Sequence, residues 1–249
     1  MTPYVKTEAI ILKSFKINEA DRLVVFFTPQ WGKRNGVVRA IRKGKNKFRG
    51  NIEPGYIVQL MLYLKNPHKD ITSIIGLETL TPFNTNHSWH KMLTLNYILD
   101  LLDEAFPLHD VHEDMYQFVS IKLRELQNID DKEIAYFLRI FELILLDTLG
   151  ISHNIDVCSI CGSPIKTKCV VNMTSLTTKC NHCQSYLDAE DIVLESDFFF
   201  FYKSVLSKQK SDIFNAKIDR QSKLFFKKVF STYLGRHMRS LQILESLPW

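Results

Sequence analysis

The hydrophobic pattern of this chain changes once, at "LTPF" (80–83), and that change sets what it can fold into. Upstream lie five stretches rich in β-branched and aromatic residues: "TEAIILKSFK", "ADRLVVFFTP", "NGVVRAIRKG", "GYIVQLMLYLK" and "ITSIIGLETL". Each is bounded by Gly, Pro, Asn or Asp. Such runs read as strands, because branched and aromatic side chains suit a pleated surface and the flanking residues suit turns. Five strands at this spacing fit a small closed or partly closed barrel better than a sandwich. Downstream the period becomes helical. Met92, Leu95, Ile98, Leu99 and Leu102 fall on one stripe of 88–106, with Ser88 placed to cap it and Pro107 to stop it. A second helix fits 112–127. A third fits "DKEIAYFLRIFELILLDTLG", with Asp130 or Asp131 as cap and Gly150 at the C′ position. Two more fit roughly 195–207 and 220–241, the last with Leu224, Phe225, Val229 and Leu234 as its core stripe. The expected architecture is α+β and multidomain: a five-stranded barrel over 1–82, then a helical domain over 83–249. A cysteine-rich insertion at about 156–187 interrupts the helical part.

That insertion holds two hooks, Cys158–Cys161 and Cys180–Cys183, separated by eighteen residues. A Cys-x-x-Cys turn aims two thiolates at one ion while nearby backbone amides hydrogen-bond the sulfurs. Two hooks complete a tetrahedron, which Zn²⁺ fills. Four protein ligands leave no position for water, so one structural Zn²⁺ is expected and no catalytic metal. A redox role is the weaker alternative for two hooks at this separation. His182, inside the second hook, is an alternative ligand, and Cys169 reads as a small apolar residue of the ribbon. Five cysteines, four of them paired by spacing, suit a reducing cytoplasm better than a disulfide scaffold. No charged segment followed by an apolar core opens the chain, and no apolar run approaches the ~20 residues of a membrane helix.

Charge is distributed unevenly. "KRNGVVRAIRKGKNKFR" (33–49) carries eight Lys or Arg and no acid; against the whole chain's +5, it leaves the remainder at −3. A second basic segment, 217–239, sets Lys217, Arg220, Lys223, Lys227, Lys228, Arg236 and Arg239 against Asp219 alone. Positive charge near both ends of an otherwise acidic chain points to an anionic partner. Gly36, Gly44 and Gly50 argue against the amphipathic helix that a membrane surface would take. A barrel that binds single strands needs a cationic track for phosphates and aromatic faces for bases. Phe26, Phe27, Trp31 and Phe48 lie close by in sequence. Because Phe26 and Phe27 are adjacent on a strand, one is expected to face the core and at most one to stack. Lys33, Arg34, Arg39, Arg42, Lys43, Lys45, Lys47 and Arg49 are the candidate phosphate contacts. Lys223, Lys227, Lys228, Arg236 and Arg239 are candidates for a secondary one.

Catalytic signatures are missing from the sequence. It has no phosphate-binding Gly-x-x-x-x-Gly-Lys-[Ser/Thr], no Gly-x-Gly-x-x-Gly, no Gly-x-Ser-x-Gly and no deaminase His-x-Glu with Pro-Cys-x-x-Cys. "HDVHED" (109–114) and "DDKE" (130–133) gather ionisable groups, and both read as helix starts with acidic first turns.

Four stretches in this order, "TEAIILKSFKINEADRLVVFFTPQWGK", "GLETLTPF", "FELILLDTLGI" running into "DVCSICG", and "YLGRHMRSLQIL", resemble the bacterial recombination-mediator DNA repair family RecO. The resemblance spans nearly the whole length. It implies an N-terminal OB-fold, a helical C-terminal domain and a zinc-binding insertion. It also implies a non-catalytic role: binding single- and double-stranded DNA, annealing complementary strands, and helping load a recombinase onto DNA coated by single-strand-binding protein. The implied partners are the mediator RecR and the acidic tail of single-strand-binding protein, in the cytoplasm at the nucleoid. By position, Lys33 to Arg49 match the DNA-binding region, and Cys158, Cys161, Cys180 and Cys183 match the zinc ligands. The stretch "KTKCVVNMTSLTTK" (166–179) departs from the Gly-rich loop of many relatives. Reading the residues alone, an RNA-binding barrel-plus-zinc-ribbon protein acting in translation or transcription is the alternative.

Overall fold

The computed structural model describes residues 3–39, 52–66, 70–85, 87–184, 187–208, 215–234 and 240. Five strands, β1 (Tyr4–Lys16), β2 (Arg22–Thr28), β3 (Gly32–Val38), β4 (Ile57–Tyr63) and β5 (Ile71–Thr81), close a barrel in the order β1-β2-β3-β5-β4. All neighbours are antiparallel except β3 and β5, which run parallel. β1 closes the barrel because it is long enough to pair with two strands. Its first half pairs with β4 and its second with β2, and an irregularity between Ile11 and Lys13 bends it from one to the other. β3 begins earlier than the sequence suggests. It covers 32–38 rather than 35–42, so Arg39 follows the strand instead of lying within it.

Alternation then sorts the barrel's residues. Val24 and Phe26 of β2, Val38 of β3 and Leu60 of β4 pack inside with Ala9 and Ile11. Gly36 admits no side chain: a Cβ there would lie 2.9 Å from both Phe26 and Ile74. Two helices belong to the same compact unit, Met1–Asp131: α1 (Trp89–Ala105) and α2 (Glu113–Asn128). The Ser88 hydroxyl accepts from the Lys91 N–H and caps α1, as its position in the sequence suggests. The Lys91 ammonium donates to the Gln127 carbonyl in the last turn of α2, where the helix dipole favours a cation. The period change near 82 thus ends the barrel but not the compact unit.

The second unit, Lys132–Trp249, contains α3 (Ile134–Thr148), α4 (Ser196–Leu206) and α5 (Ala216–Leu234). Between α3 and α4 lies a sheet ordered β7-β6-β8, from β6 (Cys169–Asn172), β7 (Thr178–Cys180) and β8 (Asp191–Leu194). Neither Asp130 nor Asp131 caps α3. A short 3₁₀ turn over Asp131–Glu133 precedes it, and Asp131 instead accepts from the Ser88 hydroxyl at 2.8 Å. At the other end Gly150 adopts φ +70°, donating to Asp147, while Ile151 donates to Leu146. This pair of bonds is a Schellman closure, which the left-handed Gly permits. Phe198, Tyr202, Phe225 and Phe226 pack edge to face in the core of this unit. In α5 the buried stripe runs through Phe225, Phe226, Val229 and Phe230. Leu224, expected in that stripe, is exposed.

Gly32 generates a test of the first unit. Its φ is +62°, and a Cβ there would sit 1.9 Å from the Asp110 carbonyl oxygen. Gly32→Ala combines a left-handed backbone with a clash against main chain, so it should lower stability by about 2–4 kcal/mol. Urea denaturation of the variant measures this.

Candidate metal centre and nucleic-acid interface

The four cysteines predicted as ligands come together. Their sulfurs all lie within 4.8 Å of one another, and among the described residues no other group of three or more His, Cys, Asp or Glu converges in this way. Each hook is held by its own turn. Gly162, at φ +70°, donates to the Cys158 carbonyl, and Cys183 donates to the Cys180 carbonyl. Cys161 and Cys180 sulfurs are 3.8 Å apart, and the edge of a tetrahedron with ~2.3 Å metal–sulfur bonds is also ~3.8 Å. The donor set fits a thiophilic ion. Four thiols this close cannot all ionise unless a cation lies among them. Burial raises the Cys158 thiol, but backbone N–H groups of Cys161, Cys180 and Ile160 outweigh it and bring its pKa to about 6. Hydrogen bonding to Cys161 and Cys180 pushes Cys183 up to about 12. His182 is exposed and outside the cluster. Cys169 is fully buried in β6 beside Cys180 in register, and burial pushes its thiol up to about 12.

The sheet beneath this centre is tied to the helices. The Gln221 amide of α5 donates to the Val193 carbonyl of β8, and the Tyr233 hydroxyl to the Met173 carbonyl. Lys179 pairs with Asp191 at 2.9 Å, and Asp191 also accepts from Asn172.

The predicted phosphate contacts are less uniform than the sequence suggests. Lys33 faces outward from β3 yet is buried, because its ammonium donates to the carbonyl oxygen of Asp103 and pairs with that residue's carboxylate at 3.0 Å. Arg34 faces the other way, donating to the Trp31 carbonyl with its guanidinium 5.7 Å from the Trp31 ring centre. It is also buried, and burial lowers its pKa. Both side chains are therefore spent inside the fold. Neither phenylalanine is free to stack. Phe26 is in the core, and Phe27 packs 5.4 Å from Phe106 and 6.4 Å from Tyr116. Arg39 is exposed just past β3. Arg42, Lys43, Lys45, Lys47 and Arg49, with Phe48, lie outside the described residues. So do Arg236 and Arg239. Of the second basic segment, Lys223 pairs with Asp219, Lys228 donates to the Ala189 carbonyl and lies 3.7 Å from Glu190, and Lys227 is exposed. In "HDVHED", His112 pairs with Asp110 at 2.8 Å and lies against Phe106, while Glu113 and Asp114 open α2. The residue missed by sequence reasoning is Asp103, which binds Lys33 and, at 2.8 Å, Lys13. Its acidic place on a helix carried no signal that two barrel lysines would meet it.

A family model described as Recombination protein O N terminal matches residues 1–83, and one described as Recombination protein O C terminal matches 86–241. The chain belongs to the RecO family. Relatives named DNA repair protein RecO include one from Syntrophus aciditrophicus, 23% identical over 97% of this chain and 95% of its own length. One from Thermoanaerobacter sp. is 22% identical over 94% and 92%. One from Dehalococcoides mccartyi is 30% identical over 65% of this chain and 62% of its own. The boundary between the two RecO segments, 83 to 86, falls at the change of hydrophobic period, and the five-stranded barrel occupies the first of them. No helix among the described residues is long and apolar enough to cross a membrane.

Asp103 generates a pH test. Burial raises its pKa, but hydrogen bonds and charge from Lys13 and Lys33 outweigh burial and hold it below the ordinary carboxylate range. A depressed pKa contributes stability above the unfolded value, about 3.9, and loses it as pH falls through the folded value. Asp103→Asn should therefore cost about 1–2 kcal/mol at pH 7 and progressively less below pH 4. Urea midpoints across that range measure it.

Proposed function

We propose that the chain is a DNA-repair and recombination mediator that acts by binding rather than by catalysis. It holds single- and double-stranded DNA, anneals complementary strands and assists recombinase loading on DNA covered by single-strand-binding protein. Family membership over both parts of the chain carries this reading. The charge pattern supports it: Arg39 leaves the barrel exposed, and the sequence then supplies Arg42, Lys43, Lys45, Lys47 and Arg49 without an acid. With Lys33 and Arg34 engaged inside the fold, these six are the proposed phosphate contacts. Lys223, Lys227 and Lys228 are the described members of the proposed secondary track, Lys227 the most exposed of them. Cationic side chains displace counterions and offset the repulsion between two phosphate backbones, so complementary strands can approach and pair. RecR and the acidic tail of single-strand-binding protein are the proposed protein partners, and the cytoplasm at the nucleoid the proposed location.

The ion we assign to Cys158, Cys161, Cys180 and Cys183 is a single Zn²⁺. It would neutralise the crowded thiolates and close a sheet too small to be stable by itself, with no open position for substrate.

Strand annealing tests the function. Complementary DNA oligonucleotides, with and without single-strand-binding protein, should pair faster with the protein at low salt; an unchanged rate sinks the mediator reading, and preference for matched RNA would replace DNA as the ligand. Changing Lys43, Lys45 and Lys47 together to Glu should weaken DNA binding by more than roughly tenfold, since several phosphate contacts are lost at once. Elemental analysis should find one zinc per chain, and Cys158→Ser should lose it and melt lower while keeping the barrel's affinity for DNA.

A further inference from the structure

The outer surface of the barrel is divided. Around β2 and the start of β3 it is closed by neighbours in the same unit: Phe27 lies under Phe106 and Tyr116, and Lys33 is held by Asp103. The outer surface of the first half of β1, of β4 and of β5 is open, apart from Glu8, whose carboxylate accepts from the Tyr116 hydroxyl at 3.3 Å. Tyr4, Met61, Tyr63, Ile71 and Ile75 are exposed there, Tyr4 at 56% and Tyr63 at 37%. For a barrel wall this is a contiguous apolar and aromatic area, the kind of surface that marks an interaction site.

Register orders it into three rungs. In the first, Tyr4 pairs with Tyr63 and Tyr63 with Ser73; the two rings touch with centroids 5.5 Å apart. In the second, Lys6 pairs with Met61 and Met61 with Gly76. In the third, Glu8 pairs with Gln59 and Gln59 with Glu78. Carboxylates thus stand at one end, while exposed Lys6 and Lys65 accompany the aromatic end. Two shallow grooves lie along this face, one at the end of β4 lined by Tyr63, Lys65, Asn66 and Ile71, the other across its earlier residues lined by Lys6, Gln59, Met61 and Glu78. Val38, the last residue of β3, pairs with Ile74 of β5, so exposed Arg39 follows the strand beside Ile75.

We infer that the β1–β4–β5 face is where the barrel takes the bases of a single-stranded nucleic acid, stacking them at the Tyr4–Tyr63 pair while Lys6, Lys65 and Arg39 meet the phosphates. The inference rests on the nucleic-acid reading above and locates it on a face whose aromatic end is cationic. A polyanion is repelled from the Glu8–Glu78 rung and is confined to the other two. A base, which needs a flat ring beneath it and a cation beside it, uses both.

The test compares an oligothymidylate with an abasic strand of equal length, both dye-labelled, against the full chain by fluorescence anisotropy. Tyr4 and Tyr63 are exposed, so substitutions there are tolerated by the fold. Tyr63→Phe should keep affinity for oligothymidylate. Tyr63→Leu, which keeps apolar area but removes the ring, should lower it about fivefold or more, and Tyr4→Leu with Tyr63→Leu should lower it further. Affinity for the abasic strand should be the same in all variants. Unchanged oligothymidylate binding, or equal loss on both strands, overturns the stacking face and leaves the mediator reading standing. A wild-type chain that binds neither strand overturns both. If sedimentation shows the wild type as a dimer and the Leu variants as monomers, the face joins two copies and the inference falls.

Discussion

Asp103 organises the first unit. Its carboxylate and carbonyl take the ammonium of Lys33 from β3, and the same carboxylate takes Lys13 from β1. A helix that supplies one acid to two strands has to lie across them, and Gly32 lets the main chain at Asp110 approach closely enough for it to do so. Phe27, in register with Lys33, packs against Phe106 and Tyr116 beside this pair, and the partial burial that results strengthens it. This docking decides what the barrel has left to offer. Phe27, Lys33 and Lys13 are committed to the helices, which is why the proposed ligand face lies on the uncovered strands.

The second unit solves a different problem. Its sheet has strands of three and four residues, too short to hold themselves together. Two supports are visible. Gln221 and Tyr233 bond the sheet to α5, and the four sulfurs gather at the far ends of the hooks. The coordinating groups are held by backbone amides before any ion is considered, so the centre is built as part of the fold. Four thiols form a complete tetrahedral donor set, the kind that structural metal centres use.

Much of this was readable along the chain because it is local. The five strands, the cap at Ser88, the closure at Gly150 and the two hooks each depend on residues within a few positions of one another. What was not readable depends on what lies across from a residue. Alternation correctly puts Phe26 and Phe27 on opposite faces, but it says nothing of Phe106 covering the outer one. Lys33 and Arg34 belong to a basic run by sequence and to the barrel wall by structure, because Asp103 and Trp31 claim them. Asp130 and Asp131 both suit the cap of the following helix by sequence, yet Asp131 bonds Ser88, forty-three residues away. Leu224 sits beside Phe225 in a helical pattern, and a rotation of about 100° between neighbours separates the exposed residue from the buried one.

The two tracks proposed on the barrel have opposite demands, and a small stacking point would reconcile them. A protein that anneals strands cannot hide the bases it presents, so most of a bound strand must be held by its phosphates with bases outward. A purely ionic hold lets the strand slide, since phosphates repeat identically along it. A stacking point as small as the Tyr4–Tyr63 pair, its rings 5.5 Å apart, sequesters only a base or two while fixing the strand against sliding. Cations that follow from Arg39 can then hold the rest without competing for the pairing edges. On the proposed reading, the acidic rung of Glu8 and Glu78 on the same wall would limit how far stacking can spread, which would keep the remaining bases available to a second strand.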